Sequence, residues 1–273
     1  SMDLMLVPKD SFDYNEVPDS MQKSSELLDE AATSKKKDRV AAGKFFYPMK
    51  PVRAAEVEDR MTIDYLVSLF EDGQKLRVEK KYDGVACAIM KYSGQVKIVS
   101  DDGTDVSDRF PELIDAVKNL TIDGDKPSTL TMMAEVEIWR DGEHWKRENV
   151  AGWLHSTSES NEDGVVANVF DLLFLNGSDL HTNTLESRRS KLENFDFPQS
   201  VHGRPDTDYM LNLASGEVTD SSKGDLRDKC RELSEVPGSE GVVVKELDSP
   251  YYIDNSSHND WVKFHKNILI EGI

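Results

Sequence analysis

Cysteine is scarce in this sequence: Cys87 and Cys230 are its only two, far apart and in no CxxC pair. That excludes a disulfide framework and a thiolate zinc site, and it fits a reducing compartment. Long hydrophobic runs are missing as well. No stretch approaches the roughly 20 apolar residues of a membrane span, and residues 1–7 have no basic segment leading into an apolar one. Neither a membrane span nor a secretory leader is expected. The expectation is a soluble, intracellular, monomeric protein of cytoplasm or nucleus. Positive charge is in deficit too, with 33 Lys and Arg against 52 Asp and Glu and a net charge of -19. Contact with nucleic-acid phosphates needs Lys and Arg, so such a partner has to be met by a local groove against the overall sign. An acid-rich solvated surface accounts for the remainder. At 273 residues the chain can bury a core without staples, as one large domain with or without a small appendage.

What is present centres on Lys81-Tyr82-Asp83-Gly84. The segment reads as a strand that brings a lysine to a tight turn, followed by a buried strand over the apolar run 85–90. Side chains alternate along a strand, so Glu79 and Lys81 share one face while Lys80 and Tyr82 share the other. A lysine at such a turn can act as a covalent nucleophile, with Asp83 fixing the turn and Gly84 letting the backbone approach a ligand closely. Lys-x-Asp-Gly alone occurs by chance in about one chain in twenty of this length, so by itself it does not separate a nucleophile from an exposed hairpin with a solvated lysine. Requiring Glu240-Gly241-x-x-x-Lys245 downstream lowers the coincidence below about one in a hundred.

Residues 1–44 read as a charged extension or linker, weakly helical over 24–32, with a basic cluster at 35–39. The ordered domain is expected from 45 to 266, entered through an extended, proline-punctuated stretch at 46–51. Helices are expected over 61–70, over 111–120 with Asp108 near its start and Pro111 in its first turn, and over 148–155, 184–194 and 221–233. Trp153 on the third of these is assigned to packing rather than to base stacking. Strands are expected over 95–100, 130–139 with Glu135 and Glu137 on one side, 165–175, 240–245 and 260–266. Short strands and helices without a βαβ repeat point to an α+β fold with antiparallel sheets.

In this order the pieces resemble the covalent nucleotidyltransferases, and among them the adenylation domain of ATP-dependent DNA ligases. The likeness rests on Lys81-Tyr-Asp-Gly84, on Gly103-Thr-Asp-Val106 with Asp108-Arg-Phe-Pro-Glu-Leu113, and on Glu135-Val-Glu137. It continues through Phe170-Asp-Leu-Leu173 with Asn176-Gly177 and Arg188-Arg189, Glu240-Gly-Val-Val-Val-Lys245, and Trp261-Val-Lys263 with Lys266. The resemblance implies a ligase-type nucleotidyltransferase fold flanked by helices. It also implies that Lys81 attacks the α-phosphate of ATP to form a lysyl-AMP, which passes to a 5′-phosphate of nicked duplex DNA. Lys263 and Lys266 would share the catalytic work, and Glu79, Tyr82, Asp83, Gly84, Glu137, Phe170 and Lys245 would hold the nucleotide. Within that set Phe170 stacks on adenine and Glu79 reads its edge. Glu240 and Glu137 would hold Mg²⁺, a hard cation that takes oxygen ligands. Lys245, Lys263 and Lys266 are expected near Lys81, where neighbouring cations favour its neutral, nucleophilic form.

The chain departs from the family pattern in three places. Ala86 and Asp101 stand where arginines are usual, and His265 stands where the last motif usually has its second lysine. Residues 267–273 would begin a C-terminal OB-fold domain, the expected partner that clasps DNA. An RNA ligase, an NAD-dependent ligase or a capping-type nucleotidyltransferase shares the mechanism, and an acidic interaction domain that keeps the fold without sealing is a further alternative.

Overall fold

The computed structural model describes residues 46, 48–53, 67–197, 210–220, 222–254, 256 and 258–266. The weak helix over 24–32, the basic cluster at 35–39 and most of the helix expected over 61–70 lie outside them. Among the described residues, strands gather into two sheets. In the first, the order is β1 (Val52–Arg53), β12 (Trp261–His265), β11 (Ser239–Glu246), β2 (Leu76–Tyr82) and β10 (Gly216–Val218). In the second it is β4 (Gln95–Ser100), β3 (Val85–Tyr92), β5 (Leu130–Arg140), β7 (Val165–Leu175) and β8 (Ser178–Asp179), with β6 (Glu143–His144) on β5 and β9 (Leu211–Leu213) on β7. Pairing is antiparallel except for the short β1 and β9, which run parallel to β12 and β7. The α+β class with antiparallel sheets is what the sequence implied.

Alternation along the strands decides what each face meets. Val85, Cys87 and Ile89 of β3 join a core with α1 (Pro111–Asn119), α2 (Arg147–Leu154) and α3 (Leu185–Leu192) through Leu113, Val150, Trp153 and Leu192. Ala88 and Met90, on the opposite face, pack with Trp261 of the first sheet. On the far side of that sheet, Val78, Val242 and Val244 meet Leu226, Cys230 and Leu233 of α4 (Lys223–Glu235). Helices therefore cover the outer faces while the inner faces turn toward each other.

Local chemistry sets the helix ends. Thr184 and Ser222 cap α3 and α4 by accepting from the backbone N–H groups of Ser187 and Asp225. Pro111 opens α1 as expected, but Asp108 does not cap it. The free N–H groups of Glu112 and Leu113 instead donate to the Glu162 carboxylate at 2.7 and 3.0 Å, a partner about fifty residues away. Trp153 packs edge-on against Phe110, with ring centroids 5.2 Å apart.

The turn after Lys81 is not a hairpin. β2 pairs with β10 and β11, whereas β3 pairs with β4 and β5, so the chain changes sheets at residues 83–84. Gly84 makes this possible. A Cβ there would sit 2.1 Å from the carbonyl oxygen of Val136 on β5. A neighbouring strand therefore already demands glycine at this position.

Candidate active site

A cavity of about 440 Å³ opens beside that crossover, with walls from β2, β3, β5, β11 and β12. Lys81 lines it, and an irregularity in the first sheet sets what the lysine meets there. Ser239 is opposite Tyr82 and Gly241 is opposite Lys81, so Glu240 is an extra residue bulged out of the ladder. Gly241 accommodates the bulge at φ +142°, where a Cβ would meet the carbonyl of Phe264. The bulge brings the Glu240 carboxylate into an ion pair with the Lys81 ammonium. Carboxylates surround this end of the cavity. Asp83 is pushed up by burial and by Glu240, and the backbone N–H of Arg147 counteracts the shift.

The deeper wall is closed and paired. Glu79, 3% exposed, forms an ion pair with Lys245 and accepts from Arg77 Nε at 3.2 Å. Burial alone would raise the Glu79 carboxyl, but Lys245, Arg77 and Arg189 outweigh it and hold the group down at about 2. The Lys245 ammonium lies 4.0 Å from the ring centroid of Trp261 and 4.7 Å from that of Phe170. Cations near aromatic faces gain from the ring quadrupole.

The outer wall is built from β3, β5 and α2. Glu135 lines it; burial pushes its carboxyl up to about 8, against the pull of Arg147 and Lys81. The side chain of Arg147, 54% exposed, donates from Nη1 to the Gly84 carbonyl at 3.1 Å and places Nη2 3.5 Å from Asp101. Ala86 and Asp101 line the same wall.

Of the residues expected to form a site, Glu79, Lys81, Tyr82, Asp83, Gly84, Phe170, Glu240, Lys245 and Lys263 all line this cavity. Tyr82 is further held by accepting from the backbone N–H of Ser215 at 2.9 Å. Glu137 and Lys266 are not among the lining residues. Glu137 lies two positions beyond Glu135, about 7 Å farther along the strand, where its carboxylate takes contacts of 2.7 Å from His144 and 3.0 Å from Asn168. Cations were expected to crowd the nucleophile; the direct contact of Lys81 is instead the acid Glu240. Arg147 was overlooked, and Glu135 and Trp261, though part of the quoted motifs, were given no role in the site. Strand alternation put Glu135 and Glu137 on one face without saying which one reaches Lys81. Nothing in the local sequence marks Arg147.

Comparison with known proteins agrees with this geometry. Residues 59–265 match the family model described as "ATP dependent DNA ligase domain". A probable DNA ligase of Dictyoglomus turgidum is 27% identical over 231 residues, which are 80% of this chain and 35% of that protein. Among solved structures, the ligase domain of M. tuberculosis LigD superposes with a TM-score of 0.53 at 19% identity, over 81% of this chain and 60% of that one. The ATP-dependent DNA ligase of bacteriophage T7, in complex with ATP, gives 0.52 at 14% identity over 80% and 68%. The chain spans about a third of the length of the Dictyoglomus relative. Because the family model extends over most of its residues, the chain belongs to the ATP-dependent DNA ligase domain family.

Proposed function

We propose that this chain is the nucleotidyl-transferring module of an enzyme that seals DNA nicks at the expense of ATP, with Lys81 as nucleophile. The observation that carries the reading is the position of Lys81. Its amino group stands in a nucleotide-sized cavity, with Lys245 and Lys263 on one side and a cluster of carboxylates on the other.

Lys81 must exchange its contact with Glu240 and lose a proton before it can attack. Its Nζ then forms a bond to the α-phosphorus of ATP while the α–β bridging bond breaks and pyrophosphate leaves. An oxygen of a DNA 5′-phosphate next displaces Lys81 from the phosphoramidate, returning the free amine, and a 3′-hydroxyl finally displaces AMP. Phe170 offers a face to the adenine and Glu79 its edge contact. Lys245 and Lys263 neutralise phosphate charge during expulsion of pyrophosphate. Of the two lysines on and beside β12, Lys263 is the one on the cavity wall.

The donor set suits Mg²⁺, which keeps several waters and uses one or two carboxylates plus substrate phosphates. Among the described residues no group of three or more acids, histidines or cysteines forms a ready cage. Glu240, with Asp83 near it, would hold the ion; Glu137, engaged with His144 and Asn168, is the less suited of the two glutamates first considered. When bound, Mg²⁺ would supply charge neutralisation on the phosphates. A C-terminal domain completing the DNA clasp is part of this proposal, and its restoration is expected to speed transfer of AMP to nicked duplex.

Incubation with α-labelled ATP and Mg²⁺ tests the reading. The expected product is a covalent AMP adduct, labile to acid and stable to alkali, that is absent from Lys81→Ala. Retained labelling in that variant overturns the nucleophile, and label from NAD but not from ATP overturns the cofactor.

A further inference from the structure

Arg147 is the one arginine among the described residues lining the cavity, and it is tied to the nucleophile's turn twice. Its backbone N–H faces the Asp83 carboxylate, and its Nη1 donates to the Gly84 carbonyl at 3.1 Å. Its Nη2 rests 3.5 Å from Asp101, in a pair whose side chains are 54% and 21% exposed. So exposed and so long an ion pair is weak and readily exchanged. Ala86 beside it contributes no polar side-chain group. On the deep wall, by contrast, Lys245 is buried and paired with Glu79, so the half-exposed guanidinium of Arg147 is the more readily exchanged cation.

We propose that Arg147 receives the terminal 5′-phosphate of the strand that accepts AMP. A guanidinium presents donors in a planar fork that matches two phosphate oxygens, and a doubly charged phosphate competes well for a fork held by one backbone carbonyl and one carboxylate at 3.5 Å. Asp101 then acts as the resting occupant. It neutralises Arg147 until a phosphate arrives at the mouth, close to Lys81 and hence to a lysine-bound AMP. The assignment rests on the reading of Lys81 given above; it makes Arg147 an acceptor-binding residue, distinct from the groups that hold the nucleotide.

The test compares nicked duplexes bearing a 5′-phosphate or a 5′-hydroxyl for affinity at low salt, with both the free and the AMP-labelled chain. The wild type is expected to prefer the phosphate by about tenfold, the worth of a charge-assisted pair. Arg147→Ala is expected to erase the preference, with a much smaller fall in adduct formation from ATP. Arg147→Lys should keep part of the preference, Asp101→Asn should raise it, and Ala86→Arg should restore it in the Arg147→Ala background. A wild type without preference, or an Arg147→Ala chain that retains it, overturns the proposal. So does a parallel loss of adduct formation and preference, which would assign Arg147 to the nucleotide or to the fold. A wild type that forms no adduct refutes Lys81 instead, and the free chain still reports on Arg147.

Discussion

The two walls of the cavity are built on opposite principles. On the deep wall the charges are closed in on one another: Glu79 is shared by Lys245 and Arg77, all nearly inaccessible, beside the rings of Phe170 and Trp261. On the outer wall four carboxylates, Asp83, Asp101, Glu135 and Glu240, share Lys81 and Arg147. The difference tells which partners are intrinsic and which must arrive. A paired, desolvated wall is preorganised for an uncharged base, whereas an acid-rich, half-open wall is suited to a cation and to exchange of ion pairs as phosphates enter.

The strongest way to break this contrast is to open the closed wall. Lys245→Met leaves Glu79 buried with Arg77 alone, and the expected loss is about 3 kcal/mol of unfolding free energy, the low end for a broken buried pair. Urea unfolding measures it; a change near zero would mean that the deep wall is no more finished than the outer one. The charge on Glu79 also has a pH signature. With its folded value near 2 and an ordinary value of 4.5, its stabilisation is in place above about pH 4.5 and fades as pH falls toward about 2.

Removing an acid from the open wall should spare the fold and strike the chemistry. Glu240→Ala is expected to lower the rate of adduct formation at saturating ATP by about a hundredfold, the scale of a single group acting on transition-state charge. Phe170→Ala should mainly weaken ATP binding, by about tenfold, within the range known for loss of a base-stacking ring. Rapid-quench and equilibrium binding measurements separate rate from affinity, and equal effects on both in the two variants would erase the division of labour. The smallest effect is expected at Glu135. Its carboxyl is raised from 4.5 to about 8, so the folded state holds a proton that the unfolded state has released across that interval. Stability conferred by the neutral form is full below about pH 4.5 and is lost as pH rises through about 8. Glu135→Gln should therefore gain in melting temperature relative to wild type between pH 5 and pH 9, and an unchanged difference would place Glu135 in a more polar setting than the cavity wall.

Much of this architecture could be read from residue patterns. Apolar runs marked β3 and β7, Pro111 marked the start of α1, and the spacing of Lys81, Glu240 and Lys245 marked the pieces of one site. What escaped were features that depend on register between segments distant in sequence. The capping of α1 by Glu162, the choice of Glu135 over Glu137, and the reach of Arg147 from α2 to Gly84 each follow from how far one strand or helix slides past another, which no local pattern records. The change of sheets at Gly84 escaped for a related reason: a strand, a tight turn and a second strand read the same whether or not the strands pair.

The bulge at Glu240 bears on insertions and deletions. Because Ser239 already faces Tyr82 and Gly241 faces Lys81, removing residue 240 would join two correctly aligned halves of β11 into an unbroken ladder. Val242 and Val244 would still meet α4, and Lys245 would still meet Glu79. Loss of one residue elsewhere in the strand would turn every later side chain to the wrong face. Glu240 is therefore a supernumerary residue of its sheet: a single-codon deletion there should be silent to folding and fatal to turnover, and an insertion at this point is a route by which an ordinary sheet can gain a reactive group while every inward and outward position keeps its occupant.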